Sequence, residues 1–194
     1  MTKKQIEALD SLRELQEKVA KDWLDYWVQY SGPDVIYFWI NLFMFVAPLI
    51  YVYFKIDRTK AFHIGFFGFN IHVWFTYIDT FGVRFGFWSY PHQLIPFMPV
   101  NFGLDVSLIP VIFMLLYQWT LNNKKNFYLY ALAMSLGLSF IFKPYLVVFK
   151  MFQFHKGTNY FLLFLAYIVI VGMAIIITKV FIHLKKTATQ TEME

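Results

Sequence analysis

Apolar and polar positions alternate along this chain on two scales. Over residues 1–30, Leu12, Leu15, Val19, Trp23 and the pair Tyr26/Trp27 recur every three or four positions. Arg13, Glu14, Glu17, Lys18, Lys21, Asp22 and Asp25 fall between them, which is the period of an amphipathic helix. Ser11 followed by Glu14 has the form of a capping box. The Trp/Tyr cluster at the far end predicts docking at a membrane interface or, equally, packing on a partner. After Ser31-Gly32-Pro33-Asp34, a break with an N-cap, the short period gives way to long, sparsely charged runs. Val35–Phe54, Ala61–Phe81, Leu104–Leu121, Phe127–Phe149 and Tyr160–Ile182 are each long enough to cross ~30 Å of hydrocarbon at about 1.5 Å per residue. The expected fold is all-α: an amphipathic N-terminal helix over 1–32, a five-helix transmembrane bundle over 33–184 and a polar tail over 185–194.

Three departures from regular spans stand out. The stretch from Gly82 to Gly103 is strongly aromatic but broken by Pro91, Pro96 and Pro99, so it is predicted to lie in the interface or to fold back among the helices, because lipid cannot satisfy irregular backbone. Pro48, Pro110 and Pro144 fall inside the first, third and fourth spans and are expected to kink them. Gly82 with Gly86, and Ala133 with Gly137, have the small-xxx-small spacing that allows helices to approach closely.

Composition agrees with the pattern. With 59% hydrophobic and 15% charged residues and a mean hydropathy of +0.51, there is too little polar surface to enclose a soluble core. The 24 Phe, 13 Tyr and 6 Trp suit a bilayer protein with rings between helices and at headgroup level. The absence of cysteine removes disulfides, thiolate metal sites and cysteine nucleophiles. The net charge of +5 sits mainly in short loops and tails, as topology-setting charge does, so no nucleic-acid partner is expected. Residues 1–30 are charged and helical where a signal peptide would carry its apolar region. Lys55, Arg58, Lys60, Lys124, Lys125, Lys185 and Lys186 fall on one side of a five-span chain, and Lys18, Lys21, Arg84, Lys150 and Lys156 on the other. That bias favours a cytoplasmic C-terminus in the cell membrane.

Ionisable residues at membrane depth cost several kcal/mol unless paired or hydrated. Five spans bring Asp79, Arg84, Asp105 and Lys143 to one face, roofed by the loop containing Trp88 and Tyr90. The cluster reading competes with a simpler one, in which Asp105 favours a helix N-terminus, Arg84 meets lipid phosphate and Lys143 snorkels. His72, Thr76 and Asp79 share one face of the second span, and His63, Asn70 and Tyr77 another, so this helix is not expected to be wholly lipid-exposed. For His72, a packing role is weighed above a proton relay. The histidines lack metal-ligand spacing, no phosphate loop or nucleophile elbow is present, and no cofactor is expected.

Phe87-Trp88-Ser89-Tyr90-Pro91, Leu94-Ile95-Pro96, Pro99, then Asp105, Pro110, Met114, Tyr117 and Gln118, with Asp79 and Gly82 upstream, resemble a group of uncharacterised small multi-pass membrane proteins of spore-forming Gram-positive bacteria. The resemblance covers about residues 35–182, and a more distant one links the pattern to lycopene-cyclase-type membrane domains. Lys143-Pro144 stands where that group carries Glu-Pro, which would turn a shared carboxylate into an ion-pair partner for Asp79 or Asp105. The resemblance implies the multi-pass architecture and adds Tyr117 and Gln118 to the candidate ligand-binding residues.

Three functions fit these residues. The first is a non-enzymatic membrane protein that binds membrane lipid or a small apolar ligand, or serves as a subunit beside another membrane protein. The second is an enzyme acting on an isoprenoid or lipid through Asp79 and Asp105. The third is a small-solute or proton-coupled transporter using the His72 stripe.

Overall fold

The computed structural model describes residues 1–191, so the last three positions of the polar tail lie outside the described residues. Six helices account for most of the chain: α1 (Lys3–Tyr30), α2 (Ile36–Lys55), α3 (Ala61–Arg84), α4 (Gly103–Asn122), α5 (Phe127–Val148) and α6 (Tyr160–Thr191). The all-α expectation is met. A two-stranded antiparallel ribbon of β1 (Trp88–Ser89) and β2 (Gln153–Phe154) is the exception among the described residues.

Four helices, α2, α4, α5 and α6, are long and apolar enough to cross a membrane. Five were expected. The expected second span became α3, which has the length at 24 residues but not the hydropathy, because His63, Asn70, His72 and Asp79 interrupt its apolar residues. Nevertheless α3 lies at the centre, packed against α4 and α6. Phe67, Ile71 and Phe75 on α3, Ile109 and Phe113 on α4 and Tyr167, Ile170 and Ala174 on α6 belong to one buried cluster.

Local details correct the sequence reading of the helix starts. α1 begins eight residues before Ser11, capped by Thr2, whose hydroxyl accepts from Gln5 N–H while the Gln5 side chain returns the bond. Ser11 and Glu14 are mid-helix, so the capping box exists with other residues. The N-cap of α2 is Val35 rather than Asp34, with no side-chain bond. α1 buries none of its residues. It is tethered at one end, where Trp27 Nε1 donates to Gln93 O at 2.9 Å and His92 Nδ1 donates to Tyr30 O at 2.9 Å.

The small-residue pairs do not serve helix contacts. A Cβ on Gly82 would lie 1.9 Å from the Trp88 indole, so this glycine makes room for a ring from the loop. Gly86 is a turn residue at φ +68°, and nothing approaches Gly137 within 4 Å. The close helix approach is at Gly103, where a Cβ would lie 2.8 Å from the Asn41 carbonyl of α2.

Candidate functional site

Two helices share one backbone device. α4 opens with a wide turn over Gly103–Leu108 and α5 contains another over Leu138–Phe142, in which each N–H reaches the carbonyl five residues back. In α4, Ile109 N–H bonds to Leu104 O. The next amide belongs to Pro110, which has no hydrogen, so the Asp105 carbonyl loses its helical partner. His72 Nδ1 takes that place at 2.9 Å, and since a carbonyl only accepts, the ring proton is on Nδ1. In α5 the Lys143 N–H bonds to Leu138 O and Pro144 follows. The prolines expected to kink these helices thus sit directly behind wide turns, and Asp105 and Lys143 are carried on or beside those turns.

The result is a buried polar cluster at the α1 end of the bundle. Asp79, Asp105 and Lys143 are 4%, 0% and 3% exposed, so Lys143 does not snorkel, while Asp105 does lie in the first turn of α4, as the helix N-terminus alternative has it. Asp79 Oδ1 accepts from Trp88 Nε1 at 2.8 Å and from Tyr90 Oη at 2.7 Å, so the loop is bonded directly to the acid. No N–H or O–H meets Asp79 Oδ2, either oxygen of Asp105, or the hydroxyl of Tyr167. Lys143 Nζ lies over rings, 4.1 Å from the centroid of Phe152 and 5.4 Å from that of Tyr90.

The loop is fixed from the other side as well. Trp88 pairs with Phe154 and Ser89 with Gln153 across the ribbon, while His155 N–H donates to Phe87 O at 2.8 Å. A second polar seam ties the loop to α2: Asn101 Nδ2 donates to Asn41 Oδ1 at 3.0 Å, and Asn41 Nδ2 donates to Tyr37 O and His92 O. His92 stacks on Tyr37 with centroids 3.8 Å apart, and its partial burial holds the ring below its ordinary value of 6.5, against the opposing bond to Tyr30.

The structure therefore gathers Asp79, Asp105, Lys143, Trp88 and Tyr90, with His72 one step behind through the Asp105 carbonyl. Arg84 is exposed and stands outside this group. Tyr117 and Gln118 are at the opposite end: Tyr117 Oη meets His63 Nε2 at 2.9 Å, and Gln118 bridges Asp57 N–H and Lys55 O. Beside them Asp57 is held at about 2 by the Thr59 hydroxyl and Lys60. Tyr167, Phe152, Asn41 and Asn101 were missed by the sequence reading. Asn41 and Tyr167 had a signal, each being a polar group within an otherwise apolar run, whereas nothing marked Phe152.

Room for a ligand is distributed unevenly. The cavity bordered by Asp79, Lys143, Trp88 and Tyr167 measures about 20 Å³. A cleft of about 540 Å³ separates Leu12, Leu15, Val19 and Trp23 of α1 from Arg84 and the Pro96–Pro99 loop. At the far end, a cleft of about 690 Å³ runs between α3 and α6, with Phe62, Phe66 and Phe181 in its walls and Lys60 and Lys186 at its rim. Among the described residues, no group of three or more His, Asp or Glu side chains is placed to hold a metal ion. No family model, curated protein or solved structure matches the chain at a significant level.

Proposed function

We propose that the chain is an integral membrane protein with five spans, α3 being the second, and that it binds lipid or a similar amphipathic ligand without transforming it at the carboxyl pair. The observation that carries this reading is where the space lies. Two clefts of about 540 and 690 Å³, at opposite ends of the bundle, are lined mainly by apolar side chains, with a few neutral polar groups and cations and no acidic residue, whereas the cavity at the acids is only about 20 Å³. An acyl chain fits the former and is excluded from the latter. Arg84, at the α1 cleft, has no hydrogen-bond or ion-pair partner among the described residues and is free to meet an anionic headgroup.

Three points support the topology. α3 is as long as its neighbours, and its polar groups turn inward to His72–Asp105 and Asp79–Trp88 contacts, which makes its low hydropathy compatible with spanning. The basic residues at the far end, including Lys60, Lys124, Lys125 and Lys186, favour a cytoplasmic position for that end and the C-terminus. The likeness of the Trp-Ser-Tyr-Pro segment to small multi-pass membrane proteins of spore-formers points the same way.

The test is gentle detergent purification followed by native mass spectrometry. Wild type is expected to carry lipid adducts, and Arg84→Ala or Lys186→Ala to lower their occupancy severalfold. A wild-type protein free of adducts, or adducts lost only in Asp79→Asn, would overturn the reading. A co-purifying protein in place of lipid would favour the subunit role.

A further inference from the structure

We propose that the far-end cleft between α3 and α6 selects an anionic phospholipid, with one acyl chain against Phe66, Phe181 and Ile182 and the phosphate on Lys186. This inference rests on the lipid-binding reading above and adds to it the headgroup class and the cleft that reads it.

The first support is the order of side chains along the cleft. On α6, Thr178, Phe181, Ile182, Lys185 and Lys186 recur every three or four positions, so they form one face of the helix. On the other wall, Lys60, His63 and Phe66 follow at intervals of three, running the opposite way. Both walls therefore change from apolar to cationic towards the same end. Phe66 and Phe181 meet with centroids 5.0 Å apart, and the buried Thr178 hydroxyl is already spent on Ala174 O at 2.7 Å. The inner part thus offers hydrocarbon, and Lys185 lies only about 6 Å of helix beyond Phe181. A chain joined to a charged headgroup has the same order. A free anion would leave the apolar walls unused, and an apolar molecule would leave the rim unused.

The second support is charge. Lys60 Nζ lies 3.2 Å from Asp57 Oδ2, so a carboxylate of the adjoining turn already matches this cation. Lys186 makes no hydrogen bond or ion pair among the described residues, and Lys185 brings another ammonium to the same rim. No Asp or Glu lines the cleft. A zwitterionic headgroup carries its own cation to this rim and meets repulsion, whereas a headgroup of net negative charge meets attraction alone.

Native mass spectrometry of the delipidated protein, titrated with phosphatidylglycerol and phosphatidylcholine of identical acyl chains, reads the selection. Wild type is expected to bind phosphatidylglycerol about tenfold more tightly. Lys186→Gln should cut that preference severalfold, and Lys185→Gln with Lys186→Gln should remove it while phosphatidylcholine binding stays as it was. Both lysines are exposed, so their replacement leaves the packed core untouched. Phe181→Ser should weaken both lipids alike. Lys125→Gln, which removes an exposed cation of the same end outside the cleft, should leave the preference intact. Equal binding of the two lipids by wild type would overturn the headgroup selection and leave the lipid-binding reading standing, whereas a wild type that binds neither would overturn both. A preference that survives the double variant, or one that Lys125→Gln lowers as much as Lys186→Gln does, would overturn the assignment to this cleft. Unchanged binding in Phe181→Ser would overturn the placement of the chain.

Discussion

α2 and α3 are neighbours in sequence with opposite characters. α2 is strongly apolar and buries only Asn41 and Met44, so most of its surface faces outward. α3 carries histidines, amide and acid, and buries eight residues including Asp79. In a bundle whose surroundings are apolar, hydropathy therefore measures contact with those surroundings and not depth within the protein. The central helix can carry His63, His72 and Asp79 because His63 meets Tyr117 and His72 the Asp105 carbonyl, both of α4, while Asp79 meets Trp88 and Tyr90 of the loop. α2, which offers little but side-chain hydrocarbon, is held by a polar seam through Asn41, Asn101 and the Ser107 hydroxyl on Phe45 O, and at its far end by Gln118 on Lys55 O.

That contrast can be broken most severely at Asp79. Asp79→Leu leaves the Trp88 and Tyr90 donors buried without an acceptor and Lys143 without its balance, and should cost about 3–5 kcal/mol of stability. The midpoint of unfolding in detergent checks it, and a loss under about 1 kcal/mol would mean that α3 is not the organising helix. On α2, Asn41→Leu strands the Asn101 amide and should cost about 1–3 kcal/mol. Hydrogen exchange should then rise in α2 and the loop while α3 stays protected. If α3 loosens equally, the two helices are not independent.

The smallest effect is a pH dependence confined to the α2 side. His92 is held below 6.5 by burial, so the folded state prefers its neutral ring. Its contribution is complete above 6.5 and falls away as pH drops through the lower folded value. Exchange at the junction of α1 and α2 should increase on acidification, and His92→Gln should abolish that increase. An unchanged profile in the variant would assign the effect elsewhere.

Much of the bundle was legible in the chain because apolar length is a direct requirement of crossing hydrocarbon, and the boundaries of α2, α4 and α5 follow it closely, whereas α6 runs past the apolar stretch that ends at Ile182 to Thr191. The meeting of Asp79, Asp105 and Lys143 was also legible, since alternating helices leave few arrangements of their ends. The roles of Arg84, Tyr117 and Gln118 were not. Arg84 lies one turn beyond Asp79, past the depth at which the loop closes over the acids, and Tyr117 is about three turns from Asp105 along α4, so a shared motif concealed two separate ends. The wide turns were hidden because proline announces a missing hydrogen bond without saying which register replaces it. Nor does Phe152 differ in sequence from 23 other phenylalanines, although its ring carries the Lys143 ammonium.

Three turn lysines carry a further meaning. Lys124, Lys150 and Lys156 have φ of 51°, 56° and 50°, left-handed geometry that costs an ordinary side chain about 1–2 kcal/mol and glycine almost nothing. Each hairpin of the bundle after α4 thus turns on a cation where the cheapest backbone choice would have been uncharged. Under the five-span reading proposed above, such corners act as buoys at the ends of α4–α5 and α5–α6, and replacing them with glycine would relax the backbone while removing the charge that fixes the depth of those helices.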